Sequence, residues 1–160
     1  LSISTGIRNT IIGCTAGDAL TTGSNNTIIG KNAEASAVDV DNEITLGNSA
    51  ISTIRAQVTS ISSLSDRRDK KDIQDSTYGL DFVDSLKPVT FEWDQRDGER
   101  KGVKDVGFIA QDLQEVDDEY TRLVYESNPE KLEATYGRLI PIMAKAIQEL
   151  SAKVKMLENK

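Results

Sequence analysis

Apolar residues follow three different rhythms along this 160-residue chain. Near the N-terminus short β-branched runs recur: Thr10-Ile11-Ile12-Gly13, Thr27-Ile28-Ile29-Gly30 and, more loosely, Glu43-Ile44-Thr45-Leu46-Gly47. Gly13, Gly30 and Gly47 are each 17 residues apart, and Asn9, Asn26 and Asn42 precede the units. A fixed period of this kind marks a repeat architecture. The runs read as strands, and the Gly and Asn positions suit turns with positive φ. Ile54, Ala56 and Val58 then alternate as a final strand does.

The middle of the chain mixes periods. Leu80, Val83 and Leu86 share one helical stripe that Pro88 ends, and Pro88-Val89-Thr90-Phe91-Glu92-Trp93 alternates like an edge strand. Residues 94–104 read as a charged turn or extended loop, and Gly107-Phe108-Ile109-Ala110-Gln111-Asp112-Leu113 as a strand running into a helix. Two further strands are predicted at Leu123-Val124-Tyr125-Glu126 and near residues 132–136. At the C-terminus Ile140, Met143, Ile147, Leu150, Val154 and Leu157 are spaced 3-4-3-4-3, the a/d seam of a coiled coil.

Neither end looks self-sufficient. The N-terminal strands are three or four residues long with almost no large side chains between them. Burial in one copy would not offset an ordering entropy of roughly 1–2 kcal/mol per residue. Several chains wound together, with the Ile faces on a shared axis, answer that shortfall; a single-chain β-solenoid rung or a flexible linker are the alternatives. The terminal helix, about residues 139–160, is marginal alone at two and a half heptads. It is expected to assemble as a parallel trimer, with Pro141 in its first turn. The predicted fold is thus an α+β domain over residues 65–160 ending in a coiled-coil helix, preceded by an intertwined trimeric β-stalk over residues 1–64.

Composition narrows the chemistry. A net charge of −7 disfavours tracking of nucleic-acid phosphates. No window approaches the ~20 apolar residues of a membrane span, and no signal peptide opens the chain. Leu1 in place of Met fits a fragment of something longer. Cys14 is alone, so disulfides are not the scaffold, and the absence of His removes His-based triads and most transition-metal sites. Neither a metal nor a cofactor is expected. Any nucleophile must be Ser, Thr or Cys, served by Lys, a carboxylate or an amine.

One stretch combines such groups: Ser65-Asp66-Arg67-Arg68-Asp69-Lys70-Lys71-Asp72-Ile73. A serine hydroxyl able to attack the preceding carbonyl needs a base, and a solvated lysine, with a pKa of about 10.4, is almost fully protonated. It needs neighbours or burial to lower that value, and donors to hold the developing oxyanion. By spacing alone this is also an ordinary solvated basic turn. The pattern Ser65, Asp66, Arg68, Lys70 and Ile73, however, resembles the junction of the self-cleaving intramolecular chaperones of phage tailspikes and tail fibres, the endosialidase type. The resemblance continues through Leu86-Lys87-Pro88-Val89-Thr90-Phe91-Glu92-Trp93, Gly107 to Asp112, Tyr136-Gly137-Arg138-Leu139-Ile140-Pro141 and the Ala146-Ile147-Gln148-Glu149-Leu150 helix.

That resemblance implies Ser65 as nucleophile, Lys70 as general base and Leu64–Ser65 as the scissile bond. Asp66, Arg68 and Ile73 match the motif without an assigned chemistry; Asp66 and Arg68 can pair with each other or with a neighbouring chain. Lys71 is a competing base, and Ser60, Ser62 and Ser63 are competing nucleophiles without motif support. Gln111 is a possible polar donor near the junction, or a helix-start residue satisfying backbone groups. Phe91, Trp93 and Phe108 read as core. The loop carrying Arg96, Arg100, Lys101 and Lys104 reads as a solvated face, which the family extends to grip its stalk. The implied partners are two further copies of this chain and the preceding fibre stalk as client, with no nucleic acid and no membrane. The implied location is a virion tail fibre or spike assembled in the host cytoplasm, the chaperone being shed from the mature particle. A non-cleaving trimerisation tip would show the same repeats and seam. A related domain in membrane-tethered animal transcription factors would bring a DNA-binding region and a membrane span, and neither is present in this sequence.

Overall fold

The structure, a computed structural model, describes residues 2–58 and 60–159. The three N-terminal repeats form strands β1 (Thr10–Ile12), β2 (Thr27–Ile29) and β3 (Ile44–Leu46). They pair in parallel within one chain, Thr10 against Thr27 against Ile44, so each 17-residue repeat is one turn of a solenoid. This corrects the expectation of an intertwined stalk here. The core that three-residue strands could not supply comes from the turns: Ala16, Leu20 and Ala33 close around Ile28, with Ile3, Ile11, Ala35 and Val40 against them. Leu20 and Ile28 are fully buried, each contributing roughly 1.5–3 kcal/mol.

Polar groups inside the coil are paid for by a side-chain ladder. Asn9 Oδ1 accepts from the Asn26 backbone N–H at 2.9 Å, and Asn26 Oδ1 accepts from the Glu43 N–H at 2.8 Å. Their amides donate one turn further on, Asn9 to the Gly23 carbonyl and Asn26 to that of Val40. The true register therefore runs Asn9, Asn26, Glu43. Asn42 instead matches Asn25 and Arg8, all three in the left-handed region at φ of 63°, 60° and 62°. Where rungs touch closely glycine is required: at Gly13, with φ 143°, a Cβ would lie 2.3 Å from the Gly30 carbonyl oxygen.

The solenoid stops after β3. Residues 51–58 contain no strand, contrary to the alternation of Ile54, Ala56 and Val58, and they are exposed. Their backbone finds no fourth rung to continue, because the ladder ends at Glu43.

The second half is built from α1 (Leu80–Ser85), the antiparallel pair β4 (Val89–Glu92) and β5 (Lys104–Gly107), α2 (Ala110–Gln114), the short pair β6 (Val124–Tyr125) and β7 (Glu133–Ala134), and α3 (Leu139–Glu158). The predicted strand after Gly107 lies earlier, inside the charged run, because Lys104 to Gly107 pairs with β4 across the loop. Leu113, Leu123, Val124, Leu139 and Ile142 form the core, with Phe82, Val83, Leu86 and Phe108 packed on it. Phe91 and Trp93 stand outside that core, edge-to-face at 5.1 Å, with the Arg100 guanidinium over the Trp93 ring.

Asp117 organises the turn into β6. Its carboxylate accepts from Leu123 N–H at 2.7 Å, Val124 N–H at 3.0 Å and the Thr121 hydroxyl at 2.5 Å. Burial alone would raise its pKa, but these donors outweigh burial and hold it below the usual value. Helix α3 has two working faces. Leu139, Ile142 and Ala146 are buried against the domain, whereas Ile140, Met143, Ile147, Leu150, Val154 and Leu157 are all exposed in the single chain. Among the described residues no helix is long and apolar enough to cross a membrane.

Candidate functional site

Between the two halves the chain is exposed, and the Leu64 side chain is 81% exposed. Order returns at a single 3-10 turn, Arg67–Asp69. Asp66 caps it: its Oδ1 accepts from the Arg68 N–H at 2.8 Å, and its carbonyl accepts from the Asp69 N–H at 3.2 Å. The Arg68 guanidinium folds back on the same carboxylate, Nη2 to Oδ2 at 2.7 Å. That pairing lowers the Asp66 pKa and raises that of Arg68. Asp66 and Arg68 therefore pair with each other and fix the turn from outside.

The turn reverses the chain just enough to bring residue 70 back to residue 65. Lys70 Nζ donates to Ser65 Oγ at 2.6 Å. Among the described residues no hydrogen bond links Ser65 to Lys71, nor Lys70 to Ser60, Ser62 or Ser63. Ile73 follows the turn and is half exposed. Gln111 sits in α2, exposed, and makes no hydrogen bond to Ser65 or Lys70. Both Ser65 and Lys70 face solvent. The arrangement holds a serine hydroxyl and a lysine amine in direct contact beside an accessible peptide bond. Among the described residues no cluster of His, Cys, Asp and Glu is placed to hold a metal ion.

The sequence turned out to run, from its serine onward, along a known family. Residues 65–124 match the family described as chaperone of endosialidase. This segment is similar to the endosialidase chaperones. The match begins at Ser65 and takes in the 3-10 turn, α1, the β4–β5 pair, α2 and the first residue of β6. No curated protein and no solved structure matches the chain. The family carries an intramolecular chaperone role and is classed among peptidases. Helix α3 and the solenoid lie outside the matched residues.

The chaperone domain also touches the solenoid through residues that sequence reasoning passed over. Asp97, in the charged loop, accepts a hydrogen bond from the Ser49 side chain. Tyr125 and Asn128 reach the third rung at Glu43 and Ser36. For the loop the signal was the family's habit of gripping a stalk. For Tyr125 and Asn128 there was none, since one ends a two-residue strand and the other is a lone polar residue in the loop after it.

Proposed function

We propose that residues 65–160 are an intramolecular chaperone that gathers three copies of a phage fibre or spike shaft, sets their register, and then separates from it by autoproteolysis at Leu64–Ser65. The observation that carries this reading is the 2.6 Å contact between Lys70 Nζ and Ser65 Oγ, directly after an exposed peptide bond and at the start of the family match.

In the proposed reaction a neutral Lys70 amine takes the Ser65 hydroxyl proton as Oγ attacks the Leu64 carbonyl carbon. The tetrahedral intermediate collapses by breaking the Leu64–Ser65 C–N bond, and the Ser65 amine receives the proton from Lys70. An ester between the Leu64 acyl group and Ser65 Oγ results. Water then opens it, leaving a Leu64 carboxylate and a free Ser65 hydroxyl. The step is single-turnover and consumes only water.

Solvent exposure of the pair has a consequence for timing. A lysine acts as a base when its surroundings disfavour the ammonium, and in one chain nothing covers Lys70. Assembly supplies the cover. The seam of α3 is exposed along its length in one chain, as an a/d face awaiting partners is, and three chains joined there raise the effective concentration of their shafts. Cleavage then follows assembly and reports on it. Shedding the chaperone removes the helper that lowered the folding barrier, so the shaft's persistence becomes kinetic. The product would be a virion tail fibre or spike, assembled in the host cytoplasm and lacking residues 65–160.

The open junction also favours a second reading, a trimerisation tip that never cuts. Intact mass of the purified chain beside Ser65→Ala and Lys70→Ala separates the two. Wild-type fragments meeting at Leu64/Ser65, with both variants whole, support self-cleavage. A whole but trimeric wild type leaves the tip.

A further inference from the structure

The Asn ladder ends in a residue of different chemistry. Asn9 and Asn26 each accept with Oδ1 from the next rung's backbone and donate with Nδ2 to a carbonyl 14 residues on. Glu43 occupies the third ladder position. A carboxylate has no donor to pass onward, so it closes the series and must find donors for itself. It finds them in two places. Within the rung, Ser36 N–H donates to Oε1 at 2.9 Å, Ser36 Oγ–H to Oε2 at 2.5 Å and Thr45 Oγ1–H to Oε1 at 2.9 Å. From the chaperone domain, Tyr125 O–H donates to Oε2 at 2.8 Å.

The contact does not stand alone. Asn128 Nδ2 donates to the Ser36 carbonyl at 3.0 Å, and the Ser36 and Tyr125 hydroxyls are 3.5 Å apart. Arg96 ties the neighbouring loop to the Glu130 carbonyl beside Asn128. Ser36 and Glu43 are adjacent only when the third turn of the solenoid has closed, because they are seven positions apart in the chain. A domain that grips both is therefore selective for a finished rung.

We propose that Glu43 is the recognition mark of the solenoid's end and Tyr125 its reader, so that the chaperone domain docks only on a completed third rung. The recognition step does not depend on the proposed self-cleavage. The client recognised is a 17-residue-rung solenoid whose ladder ends in a carboxylate.

Hydrogen exchange on the full chain tests recognition whether or not the chain cuts itself. Tyr125→Phe leaves the bonds from Ser36 and Thr45 to Glu43 intact and removes only the reader's donor. It should speed exchange over residues 36–47 about tenfold, the loss expected of one hydrogen bond to a charged acceptor, while residues 9–30 keep their wild-type rates. Glu43→Asn, which restores the ladder's own residue type, should abolish the effect of Tyr125→Phe when the two are combined. Unchanged exchange at residues 36–47 in Tyr125→Phe, or effects that simply add, would overturn the proposal. A chain that stays whole removes self-cleavage and leaves the exchange result to decide recognition.

Discussion

Glu149, deep in the last helix, accepts a hydrogen bond at 2.8 Å from the backbone N–H of Leu80, the first residue of α1. Gly79, the N-cap, has no side chain to do this, so α3 caps α1 from outside. The arrangement suits the helix dipole, which favours a carboxylate at that end. It also explains the glycine: a Cβ at Gly79 would lie 2.3 Å from a Glu149 carboxylate oxygen. Glu149→Ala should therefore cost about 1 kcal/mol. Gly79→Ala should cost a similar amount by displacing the same carboxylate, and adding it to Glu149→Ala should cost little more. Urea unfolding of the two single variants and the double measures that non-additivity.

The buried rung of the ladder should be the most sensitive polar site in the solenoid. Asn26 is 1% exposed and serves both neighbours, accepting from Glu43 and donating to Val40. Asn26→Ala leaves a buried N–H and a buried carbonyl unmatched, at about 2–4 kcal/mol. Asn9→Ala, at the less buried first rung, should cost less. Denaturant midpoints of the two variants check the order.

The two faces of α3 separate folding from assembly. Ile142→Ala empties a site only 6% exposed and should lower stability by about 2–4 kcal/mol. Ile147→Asp, at a position 66% exposed, should leave the isolated chain's stability within about 0.5 kcal/mol yet abolish the proposed trimer. Sedimentation velocity beside urea unfolding distinguishes them.

Stability should fall at both ends of the pH scale, for different groups. Burial pushes Glu43 up, but bonds from Ser36, Tyr125 and Thr45 outweigh it and leave its pKa below 4.5; Asp117 is likewise below 3.8. Depressed folded values mean stability fully present above the unfolded values and lost as pH falls through the folded ones. The midpoint should thus decline from about pH 4.5 downward, less steeply in Asp117→Asn, which is already weakened at neutrality. Tyr78 has the opposite sign. Its hydrogen bond to Asp118 at 2.5 Å pushes it up to about 12 from 10.0, so its contribution is full below pH 10 and lost as pH rises toward 12. Tyr78→Phe should flatten that alkaline limb.

Much of this was legible, and the misses share a cause. The 17-residue period and the terminal helix are local patterns, and both are present in the structure. Whether repeats stack within a chain or between chains is not a local property, since the same period serves both. The deciding residues, Ala16, Leu20 and Ala33, sit in turns and obey neither a strand nor a helix rhythm. Strand β5 was hidden because Lys104 and Asp105 are held by pairing with β4 rather than by a buried face. The ladder position fell one residue from where repeated asparagines suggested, because Asn42 repeats the turn and Glu43 the core.

A coil whose rungs contact only their neighbours behaves as a ruler. Duplicating residues 14–30 would insert one more turn between identical surfaces and lengthen the shaft by about 4.8 Å. Glu43, the junction and the chaperone would move along unchanged. Reach can therefore vary in whole-rung steps while the machinery at its end stays fixed.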